Sequence, residues 1–133
     1  MKSRILVVDD TVDVANLFQA ILSRCEDYDV DVAYGGEDAL KLYATARSEE
    51  RPYDLIIMDL AMPFMNGFEV EQRVYGAGDN TTKIAFLSAH DDPMDAHRAD
   101  FSRVVARWQK PIESNELRRL VAEAIKSSGT LTS

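Results

Sequence analysis

A single α/β domain, with five parallel strands covered on both faces by helices, is what this 133-residue sequence predicts. Three observations carry the prediction. Short apolar runs rich in β-branched residues alternate with segments whose apolar residues recur at helical spacing. Each run is followed by such a segment, the order expected of a parallel sheet joined by right-handed crossovers. No composition shift, internal repeat or linker divides a chain whose length suits one domain.

The elements run in order. Residues 5–8, Ile-Leu-Val-Val, read as a buried strand. Residues 11–25 read as a helix with Val14, Leu17, Phe18, Ile21 and Leu22 on its inner face. Residues 30–34 alternate in polarity, as an edge strand does, and Gly35-Gly36 breaks them. A second helix spans 37–46 through Ala39, Leu40, Tyr43 and Ala44. Arg51-Pro52 turns the chain into an apolar strand at 55–58. The loop 60–66 is punctuated by Pro63 and Gly67, and a short helix at 68–75 ends in the run Gly76-Ala77-Gly78-Asp79-Asn80. Residues 84–87 form the next strand. Asp91-Asp92-Pro93 starts a helix to about Phe101, with Pro93 in the first turn. A fifth strand spans 104–108. Ser114 is placed to cap a last helix that buries Leu117, Leu120, Val121, Ala124 and Ile125. Residues 127–133 read as a frayed polar tail.

Composition narrows the function classes. Fifteen basic against twenty-three acidic side chains give a net charge of −8. Nucleic acid and anionic membrane surfaces attract basic patches, so neither is expected as a direct partner. Cys25 is the only cysteine, which rules out an intramolecular disulfide and suits a reducing compartment. It reads as a small apolar helix residue. The N-terminal apolar run is four residues long and stops at two aspartates, too short for a signal-peptide core. No stretch approaches the roughly 18 apolar residues of a membrane span. A soluble, cytoplasmic protein is the expectation.

In an open parallel sheet, ligands bind beyond the carboxyl ends of the strands. The first strand here is followed by Asp9-Asp10, the third by Asp59, the fourth by Ser88 and the fifth by Lys110. Three carboxylates on one sheet edge repel one another, and one lysine cannot neutralise them. Hard oxygen donors without His or Cys point to magnesium, which works alongside phosphate oxygens. A hydroxyl and an ammonium opposite a metal-bound carboxylate make a pocket for a tetrahedral anion. That set suits an aspartate that attacks a phosphoryl group and holds it as an acyl phosphate. Singly, each residue has a plainer explanation: a helix N-cap for Asp9 or Asp10, a solvated carboxylate for Asp59, a turn hydroxyl for Ser88, a strand terminus for Lys110. The coincidence across four strand ends is what points to chemistry.

The motifs ILVVDD at 5–10, LIIMDLAMPFMNG at 55–67, IAFLSA at 84–89 and KP at 110–111 resemble, in order and separation, those of response-regulator receiver domains. The resemblance runs from residue 4 to about 127, giving a receiver domain at 1–127 and a flexible C-terminal tail at 128–133. It implies a flavodoxin-like (βα)5 fold, doubly wound, with strand order 2-1-3-4-5. It further implies that Asp59 is the phospho-acceptor, becoming 4-aspartylphosphate. Asp10 and Asp59 would ligate Mg2+ with the backbone carbonyl of Ala61, while Asp9 acts through metal-bound water. Lys110 would pair with the phosphoryl oxygens, or with Asp59 before phosphorylation, and Ser88 would donate to the phosphoryl group. The Lys110-Pro111 peptide is expected to be cis, an isomer accessible before proline. The implied donor is a histidine kinase or a histidine phosphotransfer protein, with a downstream protein partner the sequence does not name. On this reading the chain is a phosphorelay switch and not an enzyme.

The sequence also departs from the family pattern. Arg107 occupies the position, three before the lysine, where receivers usually carry a switch aromatic. Trp108 comes next, and could take that role only through a bulge, because a one-residue slip flips a strand's side chains. The expectation is that Trp108 packs against a helix and Arg107 is solvated. Phe64 stands where glycine is common, and His90 lies two residues past Ser88, most simply as a solvated loop residue. Of the competing readings, a haloacid-dehalogenase-type phosphatase needs an acid two residues after Asp9, where Thr11 stands. A dinucleotide fold needs glycines that the Asp9-Asp10-Thr11 turn lacks. The alternative is a degenerate receiver, a phosphorylation-independent interaction module.

Overall fold

The computed structural model describes residues 2–79, 81–89 and 104–126. The described elements are β1 (Ser3–Val8), α1 (Val12–Leu22), β2 (Tyr28–Ala33), α2 (Gly36–Ser48), β3 (Leu55–Asp59), α3 (Gly67–Gly76), β4 (Lys83–Ser88), β5 (Val104–Gln109) and α4 (Ser114–Lys126). The helix expected from Asp91 to about Phe101, His90 and the 127–133 tail lie outside the described residues. The five strands form one parallel sheet in the order β2-β1-β3-β4-β5, and β2 is an edge strand as its alternating polarity predicts.

The inner strands are buried on both faces, and their alternation builds two cores. Leu6, Val8, Ile56, Met58, Ile84 and Phe86 face α2 and α3, meeting Ala39, Tyr43, Phe68 and Val74. Ile5, Val7, Leu55, Ile57, Ala85 and Leu87 face α1 and α4, meeting Phe18, Leu22, Leu117 and Val121. Successive strand side chains point to opposite faces, so a continuous apolar run of four serves both layers. Each large apolar side chain withdrawn from water stabilises the fold by about 1.5–3 kcal/mol.

Some sequence expectations fail locally. Leu17 is exposed, not buried; Ala15 takes the inner position, with Phe18, Ile21 and Leu22. In α2, Ala44 is exposed and Ala46 is buried. Both errors come from the width of a helical face: residues at its margin read as apolar but rotate toward water. Ser114 is the first residue of α4, not a flanking cap.

β5 carries an irregularity that decides where its side chains go. Val104 pairs with Ile84, but Ala106 pairs with Ala85, leaving Val105 as an extra residue. Beyond this bulge Arg107 lies opposite Phe86, and Trp108 lies opposite Leu87. Without the bulge, the register of Val104 would carry on and set Trp108 opposite Ser88. The bulge exchanges the two faces of the strand.

Buried polar groups pin the end of the sheet remote from the strands' carboxyl termini. Asp79 accepts from Tyr43 Oη at 2.7 Å, Thr82 Oγ1 at 2.6 Å, and the amides of Thr81 and Thr82 at 2.7 and 3.0 Å. Burial alone would raise its pKa, but the bonds from the Thr82 hydroxyl and the surrounding amides hold it well below the ordinary carboxylate range. On the same end, Arg4 reaches Asp31 at 3.2 Å and lies over the Tyr53 ring, whose hydroxyl donates to Asp31 at 2.7 Å.

Candidate functional site

Parallel strands deliver their carboxyl ends to one edge, and the sequence has placed its unusual residues there. Asp9 and Asp10 follow β1, Asp59 closes β3, Ser88 closes β4 and Lys110 follows β5. Because β1, β3, β4 and β5 are consecutive neighbours, these residues come together. The edge is stitched by backbone bonds: Leu60 N to Leu87 O and Lys110 N to Ser88 O, both 2.9 Å, and Asp9 N to Ala33 O at 3.2 Å.

Asp9 is fully buried, Asp59 is 6% exposed, and Asp10 is open to solvent. One oxygen from each of the three carboxylates falls within 4.8 Å of the others. Asp9 accepts from the Thr11 amide through Oδ1 at 2.9 Å, and its Oδ2 lies 2.7 Å from Lys110 Nζ. Lys110 Nζ is 3.5 Å from Asp59 Oδ2, and the Ala61 amide donates weakly to Asp59 Oδ1 at 3.4 Å. The sequence pairs Lys110 with Asp59 in this state; in the structure Lys110 spans both carboxylates and sits nearer Asp9. Ser88 is 2% exposed. The Lys110-Pro111 peptide is cis, as expected.

Electrostatics here is unbalanced. Burial first and the Asp9 charge second raise the Asp59 carboxyl, Lys110 and the Ala61 amide pull it only partly back, and the balance leaves it at about 6. Burial acts to lower the Lys110 ammonium, but the Asp9 bond and the charges of Asp59 and Asp9 outweigh it and leave its pKa raised. Among the described residues three carboxylates face one ammonium, a formal deficit that a divalent cation would cancel. The donors of the cluster, among the described residues, are all hard oxygens, with no sulfur or imidazole. The set therefore fits Mg2+.

The loop after Asp59 is shaped to keep this edge compact. Gly67 opens α3 so close to β3 that a Cβ would meet the Asp59 carbonyl oxygen at 2.9 Å. Its amide donates to Leu60 O at 2.9 Å. The Asn66 side chain accepts from the Glu69 amide while Glu69 accepts from the Asn66 amide, a capping box that fixes the helix start.

The chain matches the family model described as the response regulator receiver domain over residues 5–122. It belongs to the response-regulator receiver family. The receiver is 38% identical over 117 residues to the DNA-binding response regulator MtrA of Mycobacterium tuberculosis, covering 88% of this chain and 48% of that protein. It is 34% identical over 114 residues to the transcriptional regulatory protein DltR of Streptococcus agalactiae, covering 86% of this chain and 48% of the relative. The receiver thus spans about half the length of these curated relatives. Among solved structures, the signal receiver domain of a putative Luxo repressor protein from Vibrio parahaemolyticus superposes with a TM-score of 0.74 at 26% identity, covering 95% and 92% of the two chains. The chemotaxis response regulator CheY4 of Vibrio cholerae shares the fold, with a TM-score of 0.76 at 24% identity over 93% and 99%. No helix among the described residues is long and apolar enough to cross a membrane.

The position of the usual switch aromatic behaves differently from the sequence expectation. Trp108 does pack against helices, in the core with Leu117 and Val121, and is 7% exposed. Arg107 is not a solvated surface residue: it is half-buried, its Nε is enclosed, and it shares a cavity wall with Ser88. The bulge at Val105 sets Arg107 opposite Phe86 and Trp108 opposite Leu87, and nothing in the local sequence announces it.

Proposed function

We infer that this receiver accepts a phosphoryl group on Asp59 from a histidine kinase or a histidine phosphotransfer protein, in a Mg2+-dependent reaction, and signals by changing which protein it binds. The observation that carries the reading is the convergence of Asp9, Asp10 and Asp59 with Lys110 on one sheet edge. An Asp59 carboxylate oxygen attacks the phosphorus, the phosphorus–nitrogen bond of the donor phosphohistidine breaks, and the leaving imidazole takes up a proton. Asp59 is about half neutralised near pH 6 and ionised above it, so the nucleophile is available at neutral pH. Asp10, Asp59 and the Ala61 carbonyl would hold the metal directly, with Asp9 acting through water. When bound, the cation offsets the charge of the carboxylates and of the incoming phosphoryl oxygens. Lys110 lies within reach of Asp59 and pairs with a phosphoryl oxygen once transfer has occurred. Ser88 donates its hydroxyl to another.

Signalling through partners and location in the cytoplasm complete the proposal. MtrA, named as a DNA-binding response regulator, is about twice as long as this chain, and no direct nucleic-acid contact is assigned to the receiver. Incubation with acetyl phosphate and Mg2+, followed by intact mass, tests the reaction. One phosphoryl group should be added, none with chelator present and none in Asp59→Asn. Undiminished labelling of Asp59→Asn refutes the assignment.

A further inference from the structure

Phe64 is fully exposed, at 101% of its reference surface, and the backbone holds it there against its own preference. Its φ is +70°. The Met65 amide donates to Pro63 O at 2.8 Å, closing a three-residue turn around it. A γ-turn with positive φ at its centre is rare and strained, the more so for a bulky residue. The mount is fixed at both ends. Met62 is buried, and Met65 packs so tightly on Gly36 that a Cβ there would come within 2.9 Å of it. The capping box of Asn66 and Glu69 locks the start of α3 just beyond.

A strained, rigidly held ring that contributes no packing has no use to the fold. It is the form of a preorganised anchor, because an aromatic fixed in advance loses little entropy on binding. Beside it runs a groove of about 350 Å3 between residues 63–65 and residues 35–38. One wall is apolar, from Pro63, Phe64 and Met65; the other carries exposed Glu37 and Asp38 at the start of α2. These two acids also suit the α2 dipole, but they leave the groove's rim negative. A second copy of a chain of net charge −8 is repelled by that rim, as are nucleic acids and anionic membranes. Among the described residues no strand residue lines the groove, so strand addition has nothing to pair with there, and the available mode is a helix laid in a groove.

We propose that this groove receives a basic amphipathic helix of a partner protein, with Phe64 as the apolar anchor and Glu37 and Asp38 as the charges that orient it.

The test uses the 15N-labelled full chain and three synthetic helix-forming peptides. The first has a leucine stripe flanked by lysines, the second has glutamates for the lysines, and the third has serines for the leucines. The leucine–lysine peptide should shift amides within 35–38 and 63–65 and leave the β4–β5 amides unmoved. Phe64→Ser, and separately Glu37→Lys with Asp38→Lys, should weaken it roughly tenfold or more, and the other two peptides should not bind. No localised shift, equal binding by Phe64→Ser, or equal binding of the glutamate peptide overturns the proposal. Acetyl phosphate labelling of Asp59 is read in the same samples and should be unaltered by Phe64→Ser. Loss of labelling in the unsubstituted chain would count against the phospho-acceptor reading alone.

Discussion

Lys110 Nζ lies 2.7 Å from Asp9 Oδ2 and 3.5 Å from Asp59 Oδ2, so one ammonium serves two buried carboxylates. Removing one partner of a buried ion pair leaves an uncompensated charge, and here it leaves two. Lys110→Met should lower stability by about 3 kcal/mol in chelator at neutral pH. Added Mg2+ should recover part of that loss, because a cation replaces a cation. Urea unfolding with and without Mg2+ measures both; a variant as stable as the parent would show that Lys110 does not hold this edge together.

Asp59→Asn tests the same imbalance from the other side. The folded carboxyl has its pKa raised from 3.8 to about 6. For an acid raised on folding, the native state binds the proton more tightly than the unfolded chain. The contribution of this one group to stability is therefore most favourable below pH 4, falls as pH rises from about 4 to about 6, and is flat above. Asparagine removes this dependence. In chelator the variant should exceed the parent by about 2–3 kcal/mol at pH 7, and the gap should close near pH 4. An equal gap at both values of pH excludes a burial origin.

Mg2+ binding separates Asp9 from Asp10. Asp10 is exposed, whereas Asp9 already engages Lys110 and the Thr11 amide. A direct ligand contributes more than one acting through water, so Asp10→Ala should weaken Mg2+ more than Asp9→Ala. Calorimetric titration decides it, and equal losses would mean the division of roles is wrong.

Asp79 supplies a pH dependence of opposite sign, far from the acidic edge. Its folded pKa is depressed, so its contribution is complete above the ordinary carboxylate value and is lost as pH falls toward the folded one. Asp79→Ala removes the shared acceptor of the Tyr43 and Thr82 hydroxyls and of the Thr81 and Thr82 amides, leaving the hydroxyls only the Val74 and Tyr53 carbonyls, and should cost about 3 kcal/mol at pH 7. The cost should shrink only below about pH 4. Chemical unfolding at pH 7 and pH 3 measures it.

Much of the fold and the acidic edge was legible in the sequence because the signals are local. Ile5–Val8 and Leu55–Met58 are too apolar for any but a sheet buried on both faces, and chemistry at strand ends is a consequence of that topology. The network around Asp79 was not legible. It joins Tyr43 on one helix to a loop carboxylate thirty-six positions away, and that loop read only as Gly-rich turn. Leu17 and Ala44 misled because hydrophobicity does not say which side of a helical margin meets water. The bulge at Val105 is a register choice between strands, settled by packing of both faces together.

That bulge yields the last prediction. Trp108 lies opposite Leu87 in the core with α4, while Arg107 lies opposite Phe86 on the other face of β5. For Trp108 to fill the space behind Ser88, the pairing of Ala106 with Ala85 would have to shift by one residue. Arg107 would then turn into the apolar layer of Leu117 and Val121, where an unpaired charge costs several kcal/mol. Activation should therefore leave Trp108 in place and remodel the loops after Asp59 and Ser88, without the aromatic rotation usual in the family. Trp108 emission and its shielding from acrylamide should be unchanged by beryllofluoride and Mg2+, while amides of residues 60–66 shift. A structure with the phosphoryl mimic in which Arg107 or Trp108 swings in behind Ser88 would show that the switch survives in another form.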